Sequence, residues 1–345
     1  MGTTMHDVAR LAGVSVKTVS NVINDYPHVR PTTRDRVLAA IDTLGYRPNV
    51  SARGLRSGRT GVIGLAIPAL RENYFAELAD SVIHAAQDHG LSVLVEQTSG
   101  DRDKELIAVS GGRLRFTDGL ILSPVGLGQS DAELLDVAFP LVLLGERIFG
   151  GPTDHVAMHN TTAAEVVVAH LLEVGRRRIA VVGASGTDLS DASSASLRIR
   201  GYQRALEAAG VDFDPTLVRQ TPTWSRESGA AAAHALVADG TSFDAVFALN
   251  DTLGLGVLRA LGEEGRRVPE DVAVIGFDNI EESRFALPSL STVDTGRDEI
   301  ASIAVDLLVE RINAKGEPAP PRTIKPEFRV VGRESTLGAQ HQPHE

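Results

Sequence analysis

The stretch MHDVARLAGVSVKTVSNVIN, residues 5–24, predicts two short helices joined by a glycine turn. Thr4 lies just before the first helix and Asp7 follows three residues later, which is the spacing of a capping box. Gly13 can adopt the left-handed conformation that ends a helix, and Ser15 can cap the helix that follows. The stretch is therefore predicted to form a helix-turn-helix, an arrangement that places its second helix in the major groove of DNA.

A third helix is predicted to complete a small domain. Pro31 suits the first position of this helix and Gly45 suits its end. Apolar residues recur at helical spacing, so we expect a shared core of Val8, Leu11, Ala12, Val19, Val22, Ile23, Val37, Leu38, Ile41 and Leu44. The opposite face of the second helix is left free, and it consists of Val16, Lys17, Thr18 and Asn21.

Charge distinguishes the N-terminal segment from the rest of the chain. Residues 1–60 contain nine Lys and Arg residues and four Asp and Glu residues, so they carry +5, and the remainder carries −16 of the total −11. A basic patch that neutralises phosphates supports DNA binding even in an acidic protein. Contact with DNA is therefore expected at the N-terminal segment alone.

The arginine-rich segment 46–60 has two interpretations. It is a flexible basic linker, or Asn49 caps a short helix whose Leu55 inserts into the minor groove as an apolar wedge. Gly54 lowers the stability of such a helix by roughly 1 kcal/mol relative to alanine, and a helix this short is marginal alone. We therefore expect it to form only with a partner.

The composition bounds the remaining chain. With 345 residues, 43% of them hydrophobic, the chain can bury a large core divided between two lobes. The absence of cysteine excludes disulfides and thiolate metal sites, and it fits a reducing cytoplasm. Because no apolar run has the length of a membrane span and no secretion signal precedes the first helix, we expect a cytoplasmic location.

From residue 61 onward, short apolar strands alternate with helical segments. The first series of strands is predicted at 62–67, 92–96, 119–122 and 141–144, and the second at 178–183, 245–248 and 273–276. The helices of the second series are predicted at 163–174, 200–209, 228–238 and 253–264. Apolar strands joined by helices form parallel sheets covered on both faces, so two series predict two doubly wound lobes with a ligand cleft between the strand ends.

Motifs along almost the whole chain resemble those of the lactose-repressor and galactose-repressor family. The combination DVA at 7–9, AGVS at 12–15 and TVS at 18–20 is highly specific for that family. Further similar segments follow in the family's order at 48–55, 61–68, 73–77, 118–122, 175–183, 250–251 and 274–278. The strand motifs among them are shared with secreted sugar-binding proteins.

The resemblance implies an α/β protein with a three-helix head, a hinge helix and two doubly wound lobes of the periplasmic-binding-protein type. The head is expected at 1–47, the hinge at 48–60, the effector-binding and dimerisation domain at 61–335 and a polar tail at 336–345. The first lobe would contain about 61–160 and 291–322, and the second about 161–290 and 323–335. The tail has no leucine heptad, so a dimer is expected and not a tail-built tetramer.

The resemblance also implies how the chain meets DNA. A homodimer would read two half-sites of a pseudo-palindromic operator, with paired hinge helices in the central minor groove. Val16, Lys17 and Asn21 occupy the family's positions for base edges, although many relatives have arginine in place of Asn21. The implied DNA contacts are Thr4, Met5, His6, Ser15, Val16, Lys17, Thr18, Asn21, Asn24, His28, Thr33, Arg34, Asn49, Ala52, Leu55 and Arg56.

Six positions match those that face the family's effector cleft, namely Tyr74, Phe75, Arg198, Trp224, Asn250 and Asp278. An aromatic plate ringed by a guanidinium, an amide and a carboxylate suits a sugar, which has apolar C–H faces and many hydroxyls. Trp224 is the only tryptophan of the chain, and ordinary core packing is the alternative interpretation for it. A small sugar is therefore the expected effector.

Other candidate sites carry weaker signals. Glu146 and Arg147 follow a predicted strand, and they either reach the cleft or form a local ion pair. His155 and His159 flank residues predicted as a strand, where this spacing separates the side chains too far to share a metal. Glycine pairs lack the pattern of a dinucleotide site, and no nucleophile elbow occurs. We therefore expect no metal, no cofactor, no catalytic residue and no enzyme activity.

These features favour a ligand-responsive transcriptional regulator, expected to be a repressor that a sugar releases from its operator. Effector binding to a closed arrangement of the lobes would separate the hinge helices and lower operator affinity. A corepressor-dependent regulator of the purine type has the same architecture and is the alternative. A solute-binding protein would need a signal peptide and no DNA-binding head, and an enzyme is the remaining alternative.

Overall fold

The protein is described by a computed structural model covering residues 3–23, 26–46, 59–111, 116–185, 191–316 and 319–338. It divides into a head unit, Met1–Gly61, and a body, Val62–Glu345, and each is described by itself. The fold class predicted from the sequence is confirmed, with a helical head and parallel sheets covered by helices in the body.

The head unit contains α1 (Met5–Ala12), α2 (Val16–Ile23) and α3 (Pro31–Thr43). The capping box is present, since the Thr4 hydroxyl accepts from the backbone N–H of Asp7 and the Asp7 carboxylate accepts from the backbone N–H of Thr4 at 3.0 Å. Gly13 has φ of 62°, and the Ser15 hydroxyl accepts from the backbone N–H of Thr18 at 3.1 Å. The predicted helix ends are thus confirmed.

The core of the head is smaller than the sequence predicts. Val8, Val19 and Val37 are fully buried, and Tyr46 joins them. Leu11 and Leu38 were expected in this core, but about half of each residue is exposed. The apolar stripe of α1 runs through Ala9 and Ala12 instead, because two alanines allow the three short helices to approach closely.

The first sheet of the body is parallel and has the strand order β11-β5-β4-β3-β1-β2. Its strands are β1 (Val62–Ile67), β2 (Ser92–Gln97), β3 (Leu120–Leu122), β4 (Leu141–Leu144), β5 (Asp154–Val156) and β11 (Thr323–Ile324). Its helices are α4 (Asn73–Asp88), α5 (Arg102–Ser110) and α11 (Arg297–Asn313). The inner strands are buried on both faces, and α4 and α11 share one core with them. This part of the body is called the first lobe below.

The second sheet is parallel, with the strand order β7-β6-β8-β9, and it forms the second lobe. Its strands are β6 (Ile179–Ala184), β7 (Val218–Gln220), β8 (Ala245–Ala248) and β9 (Ala273–Ile275). Its helices are α6 (Asn160–Glu173), α7 (Ser194–Ala208), α8 (Arg226–Ala238), α9 (Asp251–Glu263), α10 (Glu281–Phe285) and α12 (Glu334–Leu337). The helix predicted from residue 200 begins at Ser194, because the Ser193 hydroxyl caps it.

The described chain passes between the two sheets at residues 157–159, at the segment that follows α10, and at residues 325–328. The second and third crossings are joined by an antiparallel pair of β10 (Thr292–Asp294) and β12 (Arg329–Val331). The last crossing begins slightly later than the sequence predicts. Residues 323 and 324 were assigned to the second lobe, but they form β11, which pairs with β5 of the first lobe.

Candidate DNA-binding face and effector cleft

The helix predicted to contact bases, α2, begins at the Ser15 cap and is held by Val19 and Val22 in the core. Lys17 is exposed, and Thr18 and Asn21 are half-buried on the predicted free face. Val16 packs partly against the head core, so it is less free than the sequence indicates. The structure thus presents a cation and an amide on one short helix, the two groups best suited to guanine and adenine edges.

The other predicted DNA contacts of the head surround this helix in the sequence. Thr4 and His6 are exposed at the start of α1, whereas Met5 packs partly against the core. His28 is exposed beside Tyr26, with ring centroids 5.4 Å apart, and Arg34 donates to the backbone oxygen of Tyr26 at 3.0 Å. Thr33 is half-buried in the first turn of α3. The remaining predicted contacts lie outside the described residues, namely Asn24, Asn49, Ala52, Leu55 and Arg56.

Arg198 is the central cation of the cleft between the two lobes. It projects from α7 and is only 2% exposed. Its Nε donates to Oδ1 of Asn160 at 2.7 Å, Nη1 donates to the backbone oxygen of Leu249, and Nη2 lies 3.6 Å from the Asp278 carboxylate. The guanidinium stacks on the Phe277 ring, 3.5 Å from its centroid. Such contacts on every side fix the guanidinium in one orientation.

Asp278 follows β9 in a strained loop. Its φ is 109° and that of Asn279 is 52°, both in the left-handed region that favours glycine. Burial raises the pKa of Asp278 to about 7, and Arg198 opposes this shift. Arg333 holds the loop by donating to Oδ1 of Asn279 at 2.7 Å. A constrained carboxyl that lies beside a cation can accept ligand hydroxyls in a defined direction.

Asp251 holds this loop in place through hydrogen bonds to its carboxylate. Its carboxylate accepts from the hydroxyls of Thr292 and Ser283, at 2.6 and 2.7 Å, and from the backbone N–H of Ile280 at 3.0 Å. Burial raises the pKa of Asp251 to about 6. A Cβ at Gly276 would lie 2.1 Å from Oδ1 of Asp251, so only glycine allows this approach.

The aromatic residues come from both lobes. Tyr74 and Phe75 form the start of α4 in an edge-to-face pair, with ring centroids 5.3 Å apart. Burial and the nearby Asp278 carboxyl raise the pKa of Tyr74, so its hydroxyl stays protonated and can donate. Trp224 donates its Nε1–H to the backbone oxygen of Gly183 at 2.9 Å, and its ring lies 5.4 Å from the Arg198 guanidinium carbon.

Asn250 has a structural contact that the sequence did not indicate. It lies at the end of β8, and its Oδ1 caps α9 by accepting from the backbone N–H of Leu253 at 2.8 Å. Trp224 likewise packs partly against the core of the second lobe, so the alternative interpretation of core packing holds for part of its surface. Both residues therefore combine a structural contact with a position near Arg198.

Several residues near the cleft were missed by the sequence analysis. Arg297, the first residue of α11, lies 2.7 Å from the Glu77 carboxylate and donates to the backbone oxygens of Asp278 and Asn279 at 3.4 Å. Asn160 accepts from Arg198 as described above. Their signal in the sequence is only that each begins a helix next to a crossing, which is too general to identify a site.

Two rim contacts also join the lobes. Asn73 donates to the Glu282 carboxylate, which lies 3.4 Å from Nη2 of Arg226. Glu77 accepts from the backbone N–H of Glu281 at 3.0 Å. These contacts hold the start of α4 against the second lobe, so the structure has the two lobes in contact at the rim.

Within the described ranges, no three His, Cys, Asp or Glu side chains are grouped so that they could hold a metal ion. The ring of His155 is bonded to the backbone oxygen of Gly145, and burial lowers the pKa of His155. The ring of His159 instead lies beside Phe328, with centroids 5.4 Å apart. The same ranges contain no helix long and apolar enough to cross a membrane.

A helix-turn-helix head combined with a two-lobed body and a buried cluster of charged, amide and aromatic side chains where the lobes meet defines the class of ligand-responsive transcription regulators. Comparison with known proteins agrees. Residues 4–49 match the family described as bacterial regulatory proteins, lacI family, and residues 168–336 match the periplasmic binding protein-like domain.

Curated relatives match over nearly their full length. The transcriptional repressor PurR of Pasteurella multocida is 32% identical over 95% of this chain and 97% of its own. The ribose operon repressor of Escherichia coli K12 is 33% identical over 90% of this chain and 93% of its own.

Solved structures agree as well. A LacI-family regulator from Sanguibacter keddieii is 49% identical, with a TM-score of 0.75 over 81% of this chain and all of its own. The lac repressor dimer bound to operator is 28% identical, with a TM-score of 0.81 over 98% of this chain and all of its own. The chain belongs to the LacI family, and it is a DNA-binding transcription repressor with an effector-binding domain.

Proposed function

We propose that this protein is a homodimeric repressor that binds a pseudo-palindromic operator and is released by a small sugar held between its lobes. The observation that carries the proposal is the pairing of a capped helix-turn-helix with a cleft in which Arg198 and Asp278 are buried beside aromatic rings. The cytoplasm is the proposed location, because operator DNA is the partner.

The proposed DNA contacts follow from α2. Lys17 and Asn21 would contact base edges in the major groove, and Arg34 and His28 would contact the phosphate backbone. The segment 48–60 is proposed as a hinge whose Leu55 enters the central minor groove. A Leu55→Ala variant should then lose specific binding and keep nonspecific binding, whereas equal losses would contradict this role.

The proposed dimer is supported by exposed apolar side chains on the body. Leu287 is 94% exposed and Phe285 is 73% exposed, on the segment that follows β9. Leu94 is 45% exposed on β2, which is an edge strand of the first sheet. Exposed apolar residues and an edge strand are typical of an interface, and the lac repressor that this chain resembles forms a dimer on operator.

A sugar is proposed as the effector because the cleft offers both surfaces that a sugar needs. Trp224, Tyr74 and Phe75 supply aromatic faces, while Arg198 and Asp278 supply a donor and an acceptor. A relative named for the ribose operon favours this class. A purine corepressor is the second candidate, favoured by the similarity to PurR, and it would stack on the same rings.

Linkage gives the mechanism of release. If the effector binds the arrangement with the lobes in contact more tightly than the operator-bound arrangement, it lowers operator affinity, and the operator lowers effector affinity by the same factor. A corepressor would have the opposite preference. The sign of this coupling therefore distinguishes the two candidates.

One experiment tests the whole proposal. Random duplex DNA is selected on the purified chain, and the enriched sequence is titrated with neutral sugars and with purines. We expect enrichment of a pseudo-palindrome and a loss of binding with one sugar. Tighter binding with a purine would instead establish the corepressor alternative, and no enrichment would overturn the proposal.

A further inference from the structure

Glu146 makes contacts that differ from both interpretations of the sequence, which were direct contact with the cleft and a local ion pair with Arg147. It follows β4 and is only 5% exposed. It does not pair with Arg147, whose Nε donates to the backbone oxygen of Leu127 at 2.8 Å. Its Oε1 accepts from the Lys325 ammonium, and its Oε2 accepts from both the backbone N–H and the side-chain amide of Asn160, at 3.0 and 2.7 Å.

These contacts hold two of the crossings between the lobes. Asn160 directly follows the first crossing as the first residue of α6, and Lys325 begins the last crossing. Glu146 itself extends from the carboxyl end of a strand of the first sheet. One carboxylate therefore connects the first lobe to two of the crossing segments described above, which must bend when the lobes move.

The contacts continue into the effector cleft. Asn160 uses its amide N–H to bond Glu146 and its Oδ1 to accept from Nε of Arg198. Arg198 in turn lies against Asp278 and Trp224. The resulting chain of side chains runs from Lys325 through Glu146, Asn160 and Arg198 to Asp278, and only Lys325 among them is appreciably exposed.

Comparison with Glu105 shows what is special about this carboxylate. Glu105 is also buried in the first lobe, and it accepts from the backbone N–H groups of Val125, Gly126 and Leu127. All its partners belong to one loop of the same lobe, so its role is to hold that loop. Glu146 instead joins separate segments and ends at a cleft residue.

We propose that Glu146 is a positioning residue of the effector site, which orients the Arg198 guanidinium through Asn160 and thereby links the crossings to the cleft. This inference rests on the proposed function of the cleft. A buried amide that both accepts and donates transmits a fixed direction, because turning it would break both bonds. An effector that moves Arg198 would then also displace Asn160 and Glu146, and with them the crossing segments at which the lobes move relative to each other.

The sole tryptophan makes this inference testable without DNA or effector. The Trp224 ring lies 5.4 Å from the Arg198 guanidinium carbon. Trp224 is not one of the residues that link Glu146 to Arg198, so it reports on the position of Arg198. The emission maximum of Trp224 and its quenching by acrylamide are measured for the full-length wild type, Glu146→Gln and Lys325→Met. Glu105→Gln is the matched control, since it makes the same change at an equally buried carboxylate.

We expect Glu146→Gln to shift the emission and raise the quenching of Trp224, because a glutamine has one acceptor oxygen and cannot accept from both the Lys325 ammonium and Asn160. Lys325→Met should change both signals in the same direction, and Glu105→Gln should leave them at wild-type values. Circular dichroism verifies that each variant is folded. If Glu146→Gln does not fold, the Lys325→Met variant alone tests the inference. The Lys325 side chain is 34% exposed, so its replacement disturbs the buried core less than a change at Glu146.

An unchanged Trp224 signal in folded Glu146→Gln, or in Lys325→Met, would overturn the inference. An equal shift in Glu105→Gln would also overturn it, because any loss of a buried charge in the first lobe would then suffice. These outcomes are distinct from failure of the proposed function, which would be seen as absence of operator selection by a chain whose Trp224 signals behave as expected.

Discussion

In the head, Lys17 is exposed on α2, and Asn21 lies one turn further along the same helix. This helix is held by its Ser15 cap and by Val19 and Val22 in the head core, and not by Lys17 or Asn21. In the cleft, Arg198 and Asp278 are almost fully buried and are bonded to their neighbours. The two residues proposed to contact bases, Lys17 and Asn21, should therefore be exchangeable without disturbing the fold, whereas the residues proposed to bind the effector are also part of what holds the body together. Specificity and stability should separate in the head and be inseparable in the cleft.

The largest effect is expected for Arg198→Ala. Removing one partner of a buried pair leaves the Asp278 carboxyl without its cation and opens the stack on Phe277, so the free energy of unfolding should fall by about 3–5 kcal/mol. Urea denaturation measures this loss. Arg204→Ala, on the same helix but with a 65% exposed side chain, should change stability by less than about 0.5 kcal/mol. Equal effects of the two variants would contradict the comparison.

The next effect is a pH dependence of the cleft. The folded-state pKa of Asp278 is raised to about 7 from 3.8, so this group favours the folded state most at low pH, and that contribution is lost as the pH rises to about 7. Effector binding should change in the opposite sense, because the ionised carboxylate accepts hydroxyls through both oxygens, whereas protonation turns one oxygen into a donor.

Asp278→Asn isolates this effect. Its unfolding free energy should lack the decline between about pH 4 and 7 that Asp278 contributes to the wild type, as measured by urea titrations across that range. The pKa of Asp251 is also raised, to about 6, and its charge contributes to the raised pKa of Asp278, so the difference between the two proteins reports Asp278 together with its coupling to Asp251. Identical pH profiles for the two proteins would show that Asp278 is already ionised in the fold.

In the head, base preference should change without a change in stability. Lys17→Ala and Asn21→Ala should each relax discrimination at defined operator positions by about 1–3 kcal/mol, because a lost base contact affects only sequences that offered it. Arg34→Ala should weaken all sequences similarly and reduce the salt slope by about 1. Quantitative binding to single-substituted operators at two salt concentrations separates the cases, and an unchanged preference for Lys17→Ala would remove it from the base-contacting set.

The sequence predicted the elements whose signals are local. The Thr4 capping box, the Gly13 turn and the strands β1 and β4 are where the pattern places them, because each depends on residues within a few positions of one another. Leu11 and Leu38 were misplaced because helical spacing does not reveal which side of a stripe faces the neighbouring helix.

The cleft was predictable only in part. Asp278 and Arg198 are 80 positions apart in the chain, and their proximity follows from the resemblance and not from any local pattern. Glu146, Asn160 and Lys325 form their network only where separate crossings meet, so the adjacent charges Glu146 and Arg147 left both cleft contact and a local ion pair open in the sequence, and neither alternative included the bonds to Asn160 and Lys325. Contacts between residues so far apart in the chain leave no regular spacing in the sequence from which they could be predicted.

The smallest effect tests whether stability and specificity do separate in the head. Ser15→Ala removes the hydroxyl that accepts from the backbone N–H of Thr18 and should destabilise α2 by about 1 kcal/mol. Because α2 has only 8 residues, this loss should lower operator affinity through fraying while leaving the order of preferred bases unchanged. A Ser15→Asp variant restores a capping acceptor and serves as the control for helix stability, although its charge would repel phosphate. If Ser15→Ala changed the preferred bases, the cap would itself take part in base recognition, and the head would resemble the cleft in combining support with contact.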